Sequence, residues 1–176
     1  MHDRLEFLSS LNCTGVGVEL GVQSGWFSHQ ILTRTRLRKL YSIDPWDKPP
    51  GSDISFRVEP ELYLETLKLL WPFGDRSYVL RMLSVPAAEL FAPESLDFVY
   101  IDANHWYPEV TADIAAYWPK IAPGGILAGH DYGTFHTDVT RAVNEFVTQH
   151  HLPLHLTDCD ETYEGHAIRT WWVVKG

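Results

Sequence analysis

The stretch that decides the fold is Val16-Gly17-Val18-Glu19-Leu20-Gly21-Val22-Gln23-Ser24-Gly25, followed some distance on by Tyr41-Ser42-Ile43-Asp44. An apolar run leads into two glycines and a second apolar run ends on an acid, which predicts a strand, a glycine turn, a helix start and a second strand. Glycines there let the backbone approach a ligand, and the helix start offers unpaired N–H groups to an anion. An acid at the neighbouring strand tip can accept hydrogen bonds from ribose hydroxyls. The pattern therefore predicts a nucleoside site.

Strands and helices alternate along the rest of the chain. Apolar periodicity predicts helices over 3–11, 25–34, 59–71, 86–91, 108–121 and 137–150, with the last helix but one ended by Pro123-Gly124-Gly125. Parallel strands are predicted over 16–20, 39–43, 78–82, 96–101 and 126–129. The prolines and glycine of residues 45–52 predict an irregular loop.

The end of the chain has a different pattern. Residues 154–156 and 168–174 are strand-like, and the polar link between them is too short for a helical crossover. They are therefore expected to form an antiparallel hairpin at the sheet edge. The resulting expectation is a doubly wound, Rossmann-like α/β fold with a seven-stranded sheet, mostly parallel with an antiparallel C-terminal strand, in a single domain over 1–176.

Composition narrows the classes of function. The chain has 176 residues, is 45% hydrophobic and carries a net charge of −9 with scattered basic residues, so we expect no nucleic-acid partner. No apolar run approaches the roughly 20 residues of a membrane span, so no membrane partner is expected. Cys13 and Cys159 follow no metal or redox spacing, and the polar N-terminus has no signal-peptide pattern. We expect a cytoplasmic location.

Two later segments carry side chains suited to catalysis: Ile101-Asp102-Ala103-Asn104-His105-Trp106-Tyr107, and Gly129-His130-Asp131-Tyr132 after Pro123-Gly124-Gly125. Together with the glycine turn and Asp44, these make nearly the whole chain resemble the class I S-adenosylmethionine (SAM)-dependent methyltransferases. Within that class the chain is similar to the small-molecule O-methyltransferases that act on antibiotics and sugars. The resemblance implies methyl transfer from SAM to a small-molecule acceptor, with a hydroxyl oxygen as the expected target.

The resemblance also implies positions for the cofactor. Residues 21–25 would cradle the methionine part, Glu19 would approach its ammonium group and Asp44 would bind the ribose. Adenine would lie near residues 82–84. The expected cofactor-binding residues are Glu19, Gly21, Gln23, Ser24, Gly25, Asp44, Met82, Leu83, Ser84 and Asp102.

Three interpretations remain open for the polar residues after the fourth and fifth strands. Asp102, His130 and Asp131 could hold a divalent cation, Mg2+ as the resemblance implies or Mn2+ because His130 supplies an imidazole. Alternatively, Asp102, His105 and His130 could form a metal-free catalytic set with a histidine as general base. In the third interpretation these residues have a structural role and satisfy the hydrogen bonds of the loop backbone. A structural role is also the one favoured for His136, His150 and His151. Trp46, Trp106 and Tyr132 are expected to contact substrate.

Two alternatives from other classes are a nicotinamide-dependent oxidoreductase and a non-catalytic nucleoside-binding protein of the same fold. The oxidoreductase would use the same glycine turn and acid, but the Gly-x-Gly-x-x-Gly spacing is absent. The sequence does not identify the methyl acceptor or the oligomeric state.

Overall fold

The computed structural model of the chain describes residues 1–47 and 60–176. Its helices are α1 (Arg4–Ser10), α2 (Trp26–Arg34), α3 (Pro60–Leu70), α4 (Ser84–Ala87), α5 (Tyr107–Tyr117) and α6 (Thr137–Gln149). Short 3-10 turns follow α3, α4 and α5 at Trp71–Arg76, Ala88–Leu90 and Trp118–Lys120. Residues 48–52 of the predicted loop and the predicted start of α3 at residue 59 lie outside the described residues.

The strands are β1 (Val16–Leu20), β2 (Lys39–Asp44), β3 (Ser77–Arg81), β4 (Leu96–Ile101), β5 (Ile121–Gly133), β6 (His155–Leu156), β7 (Glu161–Tyr163) and β8 (His166–Val174). They form one sheet in the order β3-β2-β1-β4-β5-β8-β6, and β7 pairs with β8 beside this path. Strands β1 to β5 are parallel and β8 is antiparallel to β5. The predicted α/β class is confirmed.

Apolar residues pack on both faces of this sheet, as a doubly wound fold requires. One core lies under α4, α5 and α6 and is centred on Val99, Ile114 and Val143. The other lies under α1 and α2 and is centred on Phe7, Ile31 and Phe98. Because β4 contributes to both cores, its apolar run is almost completely buried.

Helix α5 is shorter than its apolar periodicity predicts. The helix ends at Tyr117, and Ile121 is the first residue of β5, where it pairs with Leu96. Pro119 lacks an N–H group to continue the helix, so the chain turns through a short 3-10 segment instead. Pro123-Gly124-Gly125 therefore lies inside β5 rather than at the end of a helix.

The C-terminal strands also differ from a simple hairpin. The predicted antiparallel pairing of β6 with β8 is present, but β8 lies between β6 and β5. The link between them contains β7, which folds back on β8 with Tyr163 opposite His166, so the sheet has eight strands. The N-terminus lies along this link, where the N–H of Cys159 donates to the carbonyl of His2. No helix in the described part of the chain is long and apolar enough to cross a bilayer.

Candidate functional site

The glycine loop (residues 21–25) leaves β1 where the sheet changes its direction of winding. β1 lies between β2 and β4, and open α/β sheets bind ligands in the crevice above such a switch point. Gly21 has φ = 82°, and a methyl group there would lie 2.0 Å from the carbonyl oxygen of Asp102. The loop and the tip of β4 are therefore in backbone contact that a larger residue would prevent.

The rest of this loop presents mainly backbone to the crevice. Gln23 is exposed, Ser24 is half-buried, and Gly25 adopts φ = 79° as the N-cap of α2. No side chain among the described residues caps α2, so its first N–H groups remain available to an anionic group. The role that the resemblance implies for residues 21–25, binding the methionine part of SAM, stays a prediction.

Asp44 at the end of β2 holds the glycine loop in place. One carboxylate oxygen, Oδ2, accepts the N–H groups of Val22 and Gln23 at 2.9 and 3.0 Å, and Oδ1 accepts that of Trp46 at 2.7 Å. A carboxylate offers about four lone-pair positions. Three are occupied, so Asp44 retains one acceptor position for a ligand hydroxyl instead of the two that a ribose diol would use.

Glu19 is directed away from the crevice. It is buried within β1 and accepts a hydrogen bond from the hydroxyl of Ser28 on α2, which is also 2.8 Å from the Ser42 hydroxyl. Burial raises the pKa of Glu19 well above its usual range, although the Ser28 bond opposes this shift. In this structure the side chain connects β1, β2 and α2, a role that the sequence did not suggest.

Residues 82–84 follow β3 beside the glycine loop. The N–H of Met82 donates to the carbonyl of Asp44 at 3.1 Å, and Leu83 is exposed. The hydroxyl of Ser84 donates to Asp113 on α5 at 2.5 Å. Burial raises the pKa of Asp113 to about 6, although the Ser84 bond opposes this shift. Asp113 was not predicted as a site residue, because its spacing on α5 is that of the buried helix face.

The three predicted substrate residues lie in different surroundings. Trp46 is only 3% exposed. Its Nε1 donates to the carbonyl of Gln23 at 2.8 Å, so its ring packs against the glycine loop and stabilises it. Tyr132 is directed onto α6, where its hydroxyl donates to Asn144. Trp106 is 65% exposed at the start of α5. Of the three, only Trp106 presents its ring to solvent near the tip of β4.

Asp131 is the centre of a group of polar residues at the end of β5, called here the polar cluster, that also contains His105, His130, His136 and Asp160. The pairing of β5 with β8 shifts between Gly129 and Tyr132, and Asp131 adopts φ = 62° there. Such bulges re-aim side chains, and left-handed φ values outside glycine occur often at functional sites. Nε2 of His105 lies 2.9 Å from Asp131 Oδ2, and Nε2 of His136 lies 3.5 Å from Oδ1.

His130 lies between carboxylates on both sides of its ring. Nδ1 is 3.4 Å from Asp131 Oδ1 and 4.0 Å from Asp102 Oδ1. Nε2 is 3.4 Å from Asp160 Oδ2 and 3.6 Å from Glu161 Oε1. His130 is 5% exposed, and the Asp160 side chain is fully buried. Asp160 belongs to the C-terminal link, and no sequence pattern indicated that this segment reaches the site.

Asp102 lies between the polar cluster and the glycine loop. Its N–H donates to the carbonyl of Leu20 at 2.8 Å, which fixes the tip of β4 beside β1. Its carboxylate is 23% exposed and lies 3.8 Å from the guanidinium of Arg4 on α1. Together with His105, His130 and Asp131, Asp102 lines a small recess at this edge of the sheet.

A family model described as a methyltransferase domain matches residues 18–132, which include the glycine loop, Asp44, Asp102 and Asp131. The chain belongs to this methyltransferase-domain family. A curated relative, the uncharacterized protein y4gI of Sinorhizobium fredii, is 24% identical over 118 residues. That match covers 65% of this chain, but the chain spans only 13% of the relative's length.

Solved structures share the fold of this methyltransferase-domain chain. An O-methyltransferase from Bacillus cereus in complex with SAH (S-adenosylhomocysteine) aligns with a TM-score of 0.71 and 14% identity, covering 98% of this chain and 80% of that one. An rRNA methylase from Streptococcus thermophilus aligns with a TM-score of 0.68 and 14% identity, covering 97% and 93%. At these identities the likeness shows the SAM-dependent methyltransferase fold but not the acceptor. The nicotinamide alternative is not favoured.

The glycine loop and Asp44 offer groups that fit the methionine and ribose parts of SAM, respectively. The glycine loop lies at the switch point, α2 has an uncapped N-terminus, and Asp44 retains an acceptor position. Glu19 fits less well, because its carboxyl group is buried against Ser28. The groups that this region offers to a cofactor are therefore mainly backbone groups.

The pKa values of His130, Asp131 and Asp102 are shifted in different directions by their surroundings. Burial lowers the pKa of His130, but its bonds to Asp131 and Asp160 outweigh that effect and raise the pKa to about 10. Burial opposes the ionisation of Asp131, yet the bonds from His105 and His130 hold its pKa far below the usual range. Burial raises the pKa of Asp102 to about 6, partly offset by His130. His130 therefore binds its proton more tightly than an ordinary imidazole does.

This charge state bears on the expected cation site. Ligand atoms of Asp102, His130 and Asp131 all lie within 4.8 Å of one another. A histidine ligand needs a ring nitrogen with a free lone pair, and both nitrogens of His130 face carboxylates, Asp131 on one side and Asp160 on the other. The structure brings the three residues of the expected cation site together, and cation binding there stays a prediction.

Proposed function

We propose that this protein transfers the methyl group of SAM to a hydroxyl oxygen of a small molecule bound beside Asp102. The observation that carries the proposal is the backbone contact between Gly21 and Asp102. It puts the predicted cofactor loop and the polar cluster at adjacent strand tips, so that a donor and an acceptor bound there would be neighbours. SAM supplies a methyl group already activated on a sulfonium.

Asp102 is the proposed proton acceptor. The acceptor oxygen forms a bond to the methyl carbon as the carbon–sulfur bond breaks with its electron pair on sulfur, and the hydroxyl proton passes to Asp102. A base works best with a pKa near the operating pH, and burial raises the pKa of Asp102 to about 6. Alignment of the two reactants supplies much of the remaining acceleration.

The neighbours of Asp102 support this assignment. Arg4, at 3.8 Å, and His130, at 4.0 Å, hold the carboxylate in position. His130 itself suits a base poorly, because both of its ring nitrogens face carboxylates. His105 is bonded to Asp131 and stays a second candidate for the catalytic set.

Charge favours a small molecule over RNA as the acceptor. The chain carries 23 acidic and 14 basic residues. Carboxylates of Asp102 and Asp160 lie on opposite sides of His130, and Glu161 is half-exposed beside them. A phosphate backbone would be repelled by this arrangement.

The test combines binding with acceptor screening. Calorimetric titration of the purified chain with SAH and with NAD should show binding of SAH only. Methyl-labelled SAM should then label members of a panel of small hydroxylated compounds, and the products should be methyl ethers. Labelling of amines only, or of ribosomal RNA only, would overturn the oxygen and small-molecule parts of the proposal, while SAH binding without any transfer would favour the non-catalytic alternative.

A further inference from the structure

His136 joins His105 and Asp131 in a second cluster that the sequence did not indicate. The three residues come from different elements: His105 from the segment after β4, Asp131 from the bulge of β5, and His136 from the N-cap of α6. The two imidazole rings lie 4.1 Å apart, centre to centre. One nitrogen of each ring faces a different oxygen of the same carboxylate, at 2.9 and 3.5 Å.

The donor atoms have the type and spacing of a metal site. All of them lie within 4.8 Å of one another, and two imidazoles with one carboxylate suit first-row transition ions. Bonds of about 2.0–2.2 Å place ligand atoms roughly 3–3.5 Å apart, so small side-chain rotations would suffice. The side chains of His105 and His136 are 22% and 21% exposed, which leaves room for ligands from solvent or substrate.

The surroundings orient the carboxylate of this cluster. Asp131 is 7% exposed and adopts an unfavourable left-handed φ, which the bulge imposes. Its Oδ1 lies 3.4 Å from Nδ1 of His130, and Nε2 of His130 lies 3.4 Å from Oδ2 of the buried Asp160. A polar group that orients a ligating carboxylate from outside is typical of metal sites.

We propose that His105, Asp131 and His136 bind one transition-metal ion of the zinc or manganese class. The alternative set, Asp102 with His130 and Asp131, shares Asp131 and so competes for the same ion. His130 is the weaker ligand because carboxylates face both of its ring nitrogens, whereas it is well placed as an outer donor to Asp131. Binding of the ion does not depend on methyl transfer; its use to hold an acceptor oxygen beside Asp102 does rest on the proposed function.

The test uses the full chain freed of metal and titrated with Zn2+ by calorimetry and with Co2+ by visible absorption. Wild type should bind about one ion, and His136→Asn, which keeps a residue suited to a helix N-cap, should weaken binding at least about 100-fold. His105→Ala should do the same. Asp102→Asn should bind the ion as wild type does, and so should His155→Ala, which removes an exposed histidine stacked on Trp172 at the sheet edge.

Two results would overturn the proposal. One is absence of Zn2+ and Co2+ binding in wild type. The other is loss of binding in Asp102→Asn with retention in His136→Asn, which would assign the ion to the alternative set. Circular dichroism confirms that each variant is folded, and SAH titration of the same samples reports on the cofactor site separately. Histidine side-chain NMR with Zn2+ should shift the ring signals of His105 and His136 but not those of His155.

Discussion

Gly21 and Asp102 are in contact through their backbones: a methyl group at Gly21 would lie 2.0 Å from the Asp102 carbonyl oxygen. The glycine that begins the glycine loop is thus also the residue that lets β1 and β4 come together at their tips. Cofactor binding and the position of the proposed base are connected by one residue, and a substitution there affects both.

Gly21→Ala should therefore destabilise the fold. A left-handed φ costs a non-glycine residue roughly 1–2 kcal/mol, and the clash with Asp102 adds to that cost. Gly124→Ala is the matched control, because Gly124 has φ = 78° and no atom within 4 Å of its added methyl group. Thermal unfolding should show a clearly lower midpoint for Gly21→Ala than for Gly124→Ala. Equal midpoints would mean that the contact at Asp102 relaxes at no cost.

Most of the fold could be predicted from the sequence. Strands β1 and β4 have the predicted bounds, because continuous apolar runs between glycines and polar residues define buried strands closely. The end of α5 was missed because Ile121 continues the helical spacing although Pro119 has already broken the helix. Local periodicity alone could not show whether the helical spacing of Ile121 or the proline at position 119 determines where the helix ends.

Site residues that directly follow a strand could be predicted from the sequence. Site residues that reach the cluster only through tertiary contacts could not. Asp102 and Asp131 lie in the expected region because parallel strands end at one edge. His136 and Asp160 were missed, since the start of α6 and the C-terminal link reach the cluster only through the folded chain. Trp46 follows an acid at a strand tip, yet its ring turns inward to bond the Gln23 carbonyl.

Asp44→Ala should weaken SAH binding. With one acceptor position left, Asp44 can make one charge-assisted bond to a ligand hydroxyl, worth about 1.5–3 kcal/mol or roughly a 10- to 150-fold loss in affinity. The variant also releases two N–H groups of the glycine loop and that of Trp46, so calorimetry should be paired with a measurement of unfolding. Asp75→Ala, an exposed site after α3, controls for the loss of charge. Unchanged affinity would remove Asp44 from the cofactor site.

Asp102→Asn should slow methyl transfer while leaving SAH affinity within a few-fold of wild type. Loss of a general base typically costs about 10²–10⁴ in rate. In wild type the rate should rise as the pH increases through about 6, because the Asp102 carboxyl group then loses its proton. The charged groups that act on this carboxyl group are Arg4, His105, His130 and Asp131. The profile should be flat there in the variant. The exposed Asp158→Asn is the control. A normal rate in Asp102→Asn would assign the proton to another group.

His130 should make stability depend on pH in the alkaline range. Its pKa is raised to about 10 in the folded protein against an ordinary value of 6.5, so the folded state binds the proton more tightly than the unfolded state. The resulting stabilisation is fully present below about pH 6.5 and is lost as the pH rises towards 10. Denaturant unfolding between these pH values measures the slope.

The variant Asp160→Asn tests the cause of that dependence. It removes the buried negative charge from Nε2 of His130, so the folded-state pKa should fall and the alkaline loss of stability should shrink. Because lysine, tyrosine and cysteine groups titrate in the same range, the informative quantity is the difference in slope between Asp160→Asn and wild type. Asp158→Asn, two residues away and exposed, should keep the wild-type slope. If Asp160→Asn keeps it as well, the carboxylates on the Nδ1 side, Asp131 and Asp102, are sufficient to hold the proton on His130.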